Sequence, residues 1–216
     1  MMRTIPIDPP PAVVHVVEDD ASARRATARL LQAAGHAVRT YRTGAEFLSA
    51  APTRAAGCVV LDLQLPGPSG LDVQQLLTKT GEPLPVVFLS GHAEVRHSVA
   101  AMKCGAVDFL TKSTDGSALL DAVSRAITRS VEERTARRRQ RELRDRYERL
   151  SPRERDVFAH LISGQLNKQV GFDLGISLQT TKIHRHRVLD KMEADSITHL
   201  ARMADDLGIT AVGSVR

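Results

Sequence analysis

Between residues 12 and 110, five short runs rich in β-branched residues alternate with segments of helical length. The five runs occupy residues 12–17, 37–41, 58–61, 86–89 and 106–110. Strands that alternate with helices form a parallel sheet, because each crossover needs a connection of helical length. The pattern therefore predicts a doubly wound (βα)5 domain of the α/β class.

The connecting segments carry their own helix signals. Apolar residues recur at helical spacing over residues 21–34, 44–50, 70–80 and 94–104. Gly35, Gly81 and Gly105 stand where three of these helices should end, since glycine readily adopts the left-handed conformation that closes a helix.

A long polar helix is predicted after Asp115. Neither Gly nor Pro interrupts residues 117–151, and residues 131–150 carry eight basic and five acidic side chains. A helix over 115–149 would span about 50 Å. We expect a helical linker or a coiled-coil dimer element. Because few apolar residues line one face of this helix, a partly frayed linker is the alternative.

A second, all-α domain begins at Ser151-Pro152-Arg153-Glu154. This sequence has the form of a capping box, with Ser as the cap and Pro at the first helical position. Breaks at Gly164, Gly175 and Asp195-Ser196 divide the remainder into four short helices. They are predicted near residues 152–162, 167–174, 178–192 and 196–207.

Composition places limits on location and partners. No apolar run approaches the length of a membrane span, and residues 1–11 lack the features of a secretory signal, so we expect a cytoplasmic protein with a disordered N-terminus. Cys58 and Cys104 are both interpreted as small buried apolar residues. The net charge of +5 is too modest to indicate nucleic-acid binding without a motif.

Polar residues stand where the predicted strands end. In a doubly wound sheet, ligands bind beyond the carboxyl ends of the strands. The residues found there are Glu18-Asp19-Asp20, Asp62, Ser90 and Thr111-Lys112.

Three carboxylates brought together repel one another unless a divalent cation compensates them, and hard oxygen ligands suit Mg²⁺. Such an ion also assists attack of a carboxylate on a phosphoryl group, because it neutralises charge on both partners. Asp62 is then the nucleophile, while Lys112 and Ser90 can hold the remaining phosphoryl oxygens.

Residues 12–130 resemble the CheY-like receiver domains of response regulators, which have a flavodoxin-like fold. The resemblance implies that Asp62 is the phosphoacceptor and that Mg²⁺ is bound by Glu18, Asp19, Asp62 and the backbone carbonyl of Gln64. It further implies that Ser90 is the switch hydroxyl, Lys112 the phosphate-binding lysine and Phe109 the aromatic switch.

Two departures from related patterns bear on this interpretation. Receivers usually have Pro after the lysine, joined through a cis bond, whereas this chain has Lys112-Ser113, for which we expect a trans bond. Haloacid-dehalogenase-like phosphatases place a second Asp two residues after the nucleophile, but here that residue is Gln64. Without this general acid, a stored phosphoryl group is favoured over rapid turnover.

The segment from Asn167 to Met192 has the form of a helix-turn-helix, whose second helix enters the major groove of DNA. Helical geometry turns Thr181, His184, Val188 and Met192 inward, and His184 is interpreted as structural. The residues predicted to meet bases are Gln179, Lys182, Ile183 and His186, and those predicted to meet phosphates are Lys168, Thr180, Arg185 and Arg187.

Residues 150–208 resemble the LuxR-type DNA-binding domain of the FixJ/NarL regulators. The motifs are Leu150-Ser151-Pro152-Arg153-Glu154, Asn167-Lys168-Gln169, Ile176-Ser177 and Thr180-Thr181-Lys182-Ile183-His184. Thr181 replaces the usual Val and Gly171 the usual Ala, and the glycine should cost about 1 kcal/mol inside a helix. An apolar stripe from Ile197 to Leu207 should divide between core and dimer contact.

Together these features predict a receiver (12–130), a helical linker (131–149) and a four-helix helix-turn-helix domain (150–216). The resemblance implies a two-component regulator that accepts phosphate from a sensor histidine kinase, forms a homodimer and binds double-stranded DNA to regulate transcription. RNA polymerase is a further candidate partner, no membrane is involved, and the only expected catalysis is self-phosphorylation. The alternative is a DNA-binding regulator whose receiver is an unphosphorylated scaffold.

Overall fold

The computed structural model describes residues 11–50, 55–79, 83–91 and 95–210. Of the N-terminal segment predicted to be disordered, residues 1–10 lie outside this range, as does Gly81. Two compact units are present, one extending to Arg134 and the other beginning at Thr135. Among the described residues, no helix is both long and apolar enough to cross a membrane.

In its described residues the first unit contains five strands that alternate with helices, as the sequence predicts. Their bounds are β1 Val13–Val17, α1 Ala21–Ala33, β2 Ala37–Tyr41, α2 Gly44–Ser49, β3 Gly57–Leu61, α3 Gly70–Thr78, β4 Val86–Ser90, α4 Val95–Lys103 and β5 Asp108–Thr111. A long helix, α5 Gly116–Glu148, follows. Gly35 and Gly105 both have positive φ after α1 and α4, which confirms them as helix ends.

All strand pairs are parallel, and the sheet order is β2-β1-β3-β4-β5. The pairing brings Val17 opposite Leu61 and Ser90 opposite Thr111. This register aligns the carboxyl ends of β1 and β3, and it places the ends of β4 and β5 together.

Helices cover both faces of the sheet, and the central strands β3 and β4 are buried on both sides. One core cluster packs Val17, Leu61 and Phe88 against Phe47 of α2 and Val73 of α3. The other packs the alternate strand residues against α1 and α5. Its members include Val14, Val16, Val60, Val87, Leu31, Ala122, Val123 and Ala126.

Up to residue 210, the second unit contains four helices after the last turns of α5: α6 Pro152–Ile162, α7 Asn167–Asp173, α8 Leu178–Met192 and α9 Ile197–Leu207. The predicted capping box is present, since Ser151 and Glu154 exchange hydrogen bonds. Leu200 is buried, and Ile197 and Leu207 pack against the same core. Ile197, Ala201 and Leu207 stay half-buried, so the predicted division of the α9 stripe between core and dimer contact stays a prediction.

One local prediction is wrong, and the surroundings of a second residue explain its presence. Cys58 is buried as expected, but Cys104 is exposed because it follows the last turn of α4 at the surface. The surroundings of Gly171 leave little room for a side chain. A Cβ there would lie 2.9 Å from the carbonyl oxygen of Ile176 and 3.0 Å from Oγ1 of Thr181. The two residues that depart from the family pattern, Gly171 and Thr181, are therefore neighbours in the structure. The hydroxyl group of Thr181 donates a hydrogen bond to the backbone carbonyl of Ser177.

Candidate acidic site and nucleic-acid interface

The acidic residues that follow β1 and β3 form one cluster. Carboxylate oxygens of Glu18, Asp19 and Asp62 all lie within 4.8 Å of one another. Backbone hydrogen bonds hold the cluster at the sheet edge, from Asp62 N to Val17 O and from Glu18 N to Tyr41 O. Glu18 and Asp62 are only 4% and 6% exposed, whereas Asp19 is exposed, so the cluster opens to solvent on one side.

Lys112 reaches into this cluster from the end of β5. Its Nζ lies 2.6 Å from Oε2 of Glu18 and 2.7 Å from Oδ2 of Asp62. Its backbone N–H donates to the carbonyl of Ser90, which fixes the start of the loop. Although partial burial opposes the charged ammonium, the hydrogen bonds to Asp62 and Glu18 raise the pKa of Lys112.

Glu18 is in the least favourable electrostatic position of the cluster. Burial raises the pKa of its carboxyl group, and the neighbouring Asp62 raises it further, while the hydrogen bond from Lys112 acts in the opposite direction. A second cation also supports this loop, since Nη1 of Arg24 donates to the backbone carbonyls of Glu18 and Asp19. Sequence reasoning missed Arg24, whose position six residues after Glu18 places it one turn into α1.

Asp20 does not join the cluster. Its side chain caps α1 by accepting hydrogen bonds from the backbone N–H groups of Ser22 and Ala23. Those hydrogen bonds, chiefly the one from Ala23, lower the pKa of its carboxyl group. The acidic run after β1 thus divides into two cluster residues and one helix cap.

The loop after Asp62 needs glycine where α3 begins. A Cβ on Gly70 would lie 2.3 Å from the carbonyl oxygen of Asp62, so no larger residue fits without moving the loop. Gln64 is exposed, and its backbone N–H donates to Oδ1 of Asp62 over 3.3 Å.

The predicted switch residues lie on neighbouring strands. Ser90, at the end of β4, is buried. Phe109 on β5 is partly buried and stacks on Phe88 of β4, with ring centroids 5.7 Å apart. Phe109 therefore lies on the strand that delivers Lys112, and Ser90 lies at the end of the neighbouring strand.

The loop after Lys112 is held by hydroxyl groups. Oγ1 of Thr111 lies 2.9 Å from Oγ of Ser113 and 2.8 Å from Oγ1 of Thr114. No cis peptide bond occurs among the described residues, so the bond between Lys112 and Ser113 is trans, as predicted. No sequence pattern predicts this network of hydroxyl groups.

The donor set fits a hard divalent cation. Three carboxylates meet, two of them poorly solvated, and oxygen-only ligands of this kind suit Mg²⁺. The ammonium group of Lys112 compensates part of the negative charge of these carboxylates.

Helix α8 separates into the two faces that its geometry predicts. Thr181, Val188 and Met192 are buried, and His184 is half-buried. The predicted base-contacting side chains are all exposed: Gln179, Lys182, Ile183 and His186.

The residues predicted to contact phosphates differ in exposure and in their hydrogen bonds. Lys168 and Arg187 are exposed, whereas Thr180 is half-buried and its hydroxyl lies 2.8 Å from that of Ser177. Nη1 of the half-buried Arg185 donates to Oδ1 of Asn167 over 3.1 Å, which ties α8 to the start of α7.

Comparison with known proteins matches two families to different parts of the chain. Residues 14–124 match the family described as response regulator receiver domain, and residues 148–204 match the family described as bacterial regulatory proteins, luxR family. Nodulation protein W of Bradyrhizobium diazoefficiens is 42% identical over 93% of this chain and 88% of its own. The transcriptional regulatory protein FixJ of Azorhizobium caulinodans is 40% identical over 88% of this chain and 90% of its own. The solved structure of the response regulator StyR covers 90% of this chain and 98% of its own with a TM-score of 0.85 and 36% identity.

Proposed function

Because the chain belongs to the response regulators that join a receiver domain to a LuxR-family DNA-binding domain, we propose that Asp62 is its phosphoacceptor. The observation that supports this most directly is the acidic cluster with the Lys112 ammonium group between Glu18 and Asp62. In the proposed reaction an oxygen of Asp62 attacks the phosphorus atom of a phosphodonor, and the bond to the donor's leaving group breaks. The donor in the cell is a sensor histidine kinase, and the catalysis is limited to this self-phosphorylation.

Each neighbour of Asp62 has a role in this proposal. Glu18, Asp19, Asp62 and the backbone carbonyl of Gln64 would hold Mg²⁺, which when bound neutralises charge on the reacting oxygens. Lys112 and Ser90 hold the phosphoryl oxygens as the new bond forms. Phe109 follows Ser90 inward and alters the surface near α4 and β5.

Intact mass after treatment with acetyl phosphate and Mg²⁺ tests the phosphoacceptor. The wild type should gain one phosphoryl group, and Asp62→Asn should gain none. Asp20→Asn is the matched control, since it makes the same change in the same acidic run and retains a good helix cap. Labelling of Asp62→Asn would refute the assignment, and no gain in the wild type would favour the unphosphorylated scaffold.

We infer that phosphorylation promotes pairing of two receivers through α4. Val95, Val99 and Met102 recur at helical spacing and are 78%, 45% and 48% exposed. An apolar stripe of this kind on a helix fits a second copy of the same surface. After phosphorylation, light scattering should detect a dimer of the wild type and a monomer of the Val99→Asp variant. Leu76→Asp, at a similarly exposed apolar position on α3, is the control.

The DNA-binding step is assigned to the exposed face of α8. Gln179, Lys182, Ile183 and His186 would meet base edges, and Lys168, Thr180 and Arg187 would meet phosphates. Arg185 would act partly through Asn167, by fixing α8 against α7. A dimer would hold two half-sites at once, and RNA polymerase would be the partner through which binding changes transcription.

A further inference from the structure

The imidazole ring of His184 has its two nitrogen atoms in different environments. The side chain is half-buried on α8. Nδ1 is shielded from solvent, whereas Nε2 is open to it. Neither nitrogen has a hydrogen-bond partner within the described part of the chain. Packing alone therefore leaves the hydrogen-bonding capacity of this ring unused, which is uncommon for a polar group with a buried atom.

This difference selects one tautomer of the ring. A neutral imidazole carries a proton on one nitrogen and a lone pair on the other. A proton on Nδ1 would form a buried N–H group without an acceptor, and unpaired buried N–H groups are rarer in folded proteins than unpaired acceptors. A proton on Nε2 instead gives an N–H group that meets solvent. The neutral side chain of His184 is therefore a hydrogen-bond donor at Nε2.

Helical geometry places this donor on one flank of α8. Thr180 lies four residues before His184 and Arg187 three residues after it, so the three side chains share one side of the helix. The other flank faces α7, because Arg185 donates a hydrogen bond to Asn167 there. A helix in the major groove has a phosphate backbone on each side. His184 therefore stands on the flank that meets the backbone away from α7.

We propose that His184 contacts DNA, with its Nε2–H group donating to a phosphate oxygen of that backbone. The proposal rests on the assignment of DNA binding to α8, and it adds a contact at a residue for which the sequence predicts a structural role. A phosphate oxygen supplies the acceptor that no described residue gives to Nε2. Because the donor is neutral, the contact releases no counterion, which distinguishes it from a contact made by Arg187.

Three substitutions of His184 test the position of the donor. Leu fills the buried part of the site without a donor, so His184→Leu should bind DNA about tenfold more weakly. Gln can place its amide nitrogen near the position of Nε2, so His184→Gln should bind within about twofold of the wild type. Asn can place its amide nitrogen only near the position of Nδ1, so His184→Asn should bind as weakly as His184→Leu.

Stability measured in parallel separates a DNA contact from a structural role. His184→Leu removes the unpaired Nδ1, so its second unit should unfold at a temperature no lower than that of the wild type. Tyr147 fluorescence in a Tyr41→Phe background reports on this unit. His36→Leu is the matched control, since it makes the same change at a half-buried histidine of the receiver, and it should leave DNA binding unchanged.

Fluorescence anisotropy of the full chain, after treatment with acetyl phosphate and Mg²⁺, measures the affinity at several salt concentrations. The measurement is made at about pH 8, above the range in which histidine ordinarily gains a proton. One labelled duplex carries a site selected from random sequence, and the other is unrelated. His184→Leu should lose the same factor on both duplexes without a change in salt dependence, whereas Arg187→Ala should reduce the salt dependence.

The outcomes distinguish this contact from the DNA-binding role on which it rests. Wild-type affinity of His184→Leu, weak binding by His184→Gln, or a loss confined to the selected duplex would each overturn the phosphate contact and leave DNA binding by α8 intact. Losses of affinity that follow losses of stability across the three variants would show that His184 is structural. A wild type that binds neither duplex would overturn the DNA-binding role, and the contact with it.

Discussion

The ammonium nitrogen of Lys112 lies 2.6 Å from a carboxylate oxygen of Glu18 and 2.7 Å from one of Asp62, so this lysine is paired with two of the proposed metal ligands. Lys112 therefore has two opposed effects. It compensates the carboxylates in the absence of a cation, and its charge repels a cation that arrives.

We predict that Lys112→Met increases the affinity for Mg²⁺ by about three- to tenfold, because the variant removes a positive charge from the ligand cluster. The same variant should lower the rate of phosphorylation by acetyl phosphate by at least about tenfold, since a phosphoryl oxygen loses its cationic partner. Calorimetry and intact mass would measure the two effects. Lys103→Met, at the end of α4, should change neither, and weaker Mg²⁺ binding by Lys112→Met would contradict the argument.

A buried histidine should make the receiver sensitive to acid. Burial, helped by the charge of Arg39, lowers the pKa of His15 from 6.5 to about 4. Below pH 6.5 the unfolded chain binds a proton that the folded chain does not bind, so stability should fall as the pH decreases from 6.5 toward 4. The loss should approach about 3 kcal/mol.

Tyrosine fluorescence can follow this effect, because the chain has two tyrosines and no tryptophan. In a Tyr147→Phe background, Tyr41 reports on the receiver alone, and its hydroxyl lies 3.1 Å from Nδ1 of His15. His15→Gln keeps a hydrogen-bonding side chain but cannot titrate, so its unfolding should depend less on pH over this range. If the free energy of unfolding depends on pH to the same extent in the wild type and in His15→Gln, His15 does not cause the loss of stability in acid.

Two cations of α8 should differ in what they contribute to DNA binding. On a site selected from random sequence, Lys182→Ala should lose about 1–3 kcal/mol and relax the base preference. Arg187→Ala should weaken specific and non-specific binding alike and reduce the salt dependence by about one counterion. Binding isotherms at several salt concentrations would separate them, and identical behaviour of the two variants would refute the assigned roles.

An ion pair stabilises the second unit from within. Oε2 of the buried Glu154 lies 2.6 Å from Nζ of Lys191 and also accepts a hydrogen bond from the backbone of Ser151. Glu154→Ala should destabilise this unit by about 1–3 kcal/mol, because it removes the carboxylate that completes the capping box with Ser151 and takes away the charge partner of Lys191.

Unfolding followed by Tyr147 fluorescence in a Tyr41→Phe background would measure this loss. The double variant with Lys191→Met should lose less than the sum of the single variants. Glu142→Ala breaks an exposed pair with Arg138 and should change stability little. Additive losses for Glu154 and Lys191 would show that the pair is not coupled.

The strands and the acidic residues that follow them could be predicted because strand periodicity is a local signal. Once β1 and β3 are neighbours, Glu18 and Asp62 must approach each other. The direction of the α8 side chains follows in the same way from helical geometry, which correctly predicts that Val188 is buried and Lys182 exposed.

Features that depend on packing between elements could not be predicted. Cys104 has an apolar side chain, but its exposure depends on where α4 ends against the surface. From the sequence alone, the glycine at 171 suggests weakened packing. In the structure, Ile176 in the following turn and Thr181 in the following helix lie too close to position 171 for a Cβ atom. Arg24 likewise serves the acidic loop only because α1 begins where it does.

The sheet order also has a consequence for synthesis of the chain on the ribosome. Val14 and Val16 in the first strand pack against Leu119 and Ala126 of α5, which are translated about a hundred residues later. Until that helix emerges, the nascent strand has an uncovered apolar face, and non-local contacts of this kind fold slowly. The helix-turn-helix unit closes its core over a much shorter stretch of chain, so the receiver is the part of the newborn protein most exposed to aggregation.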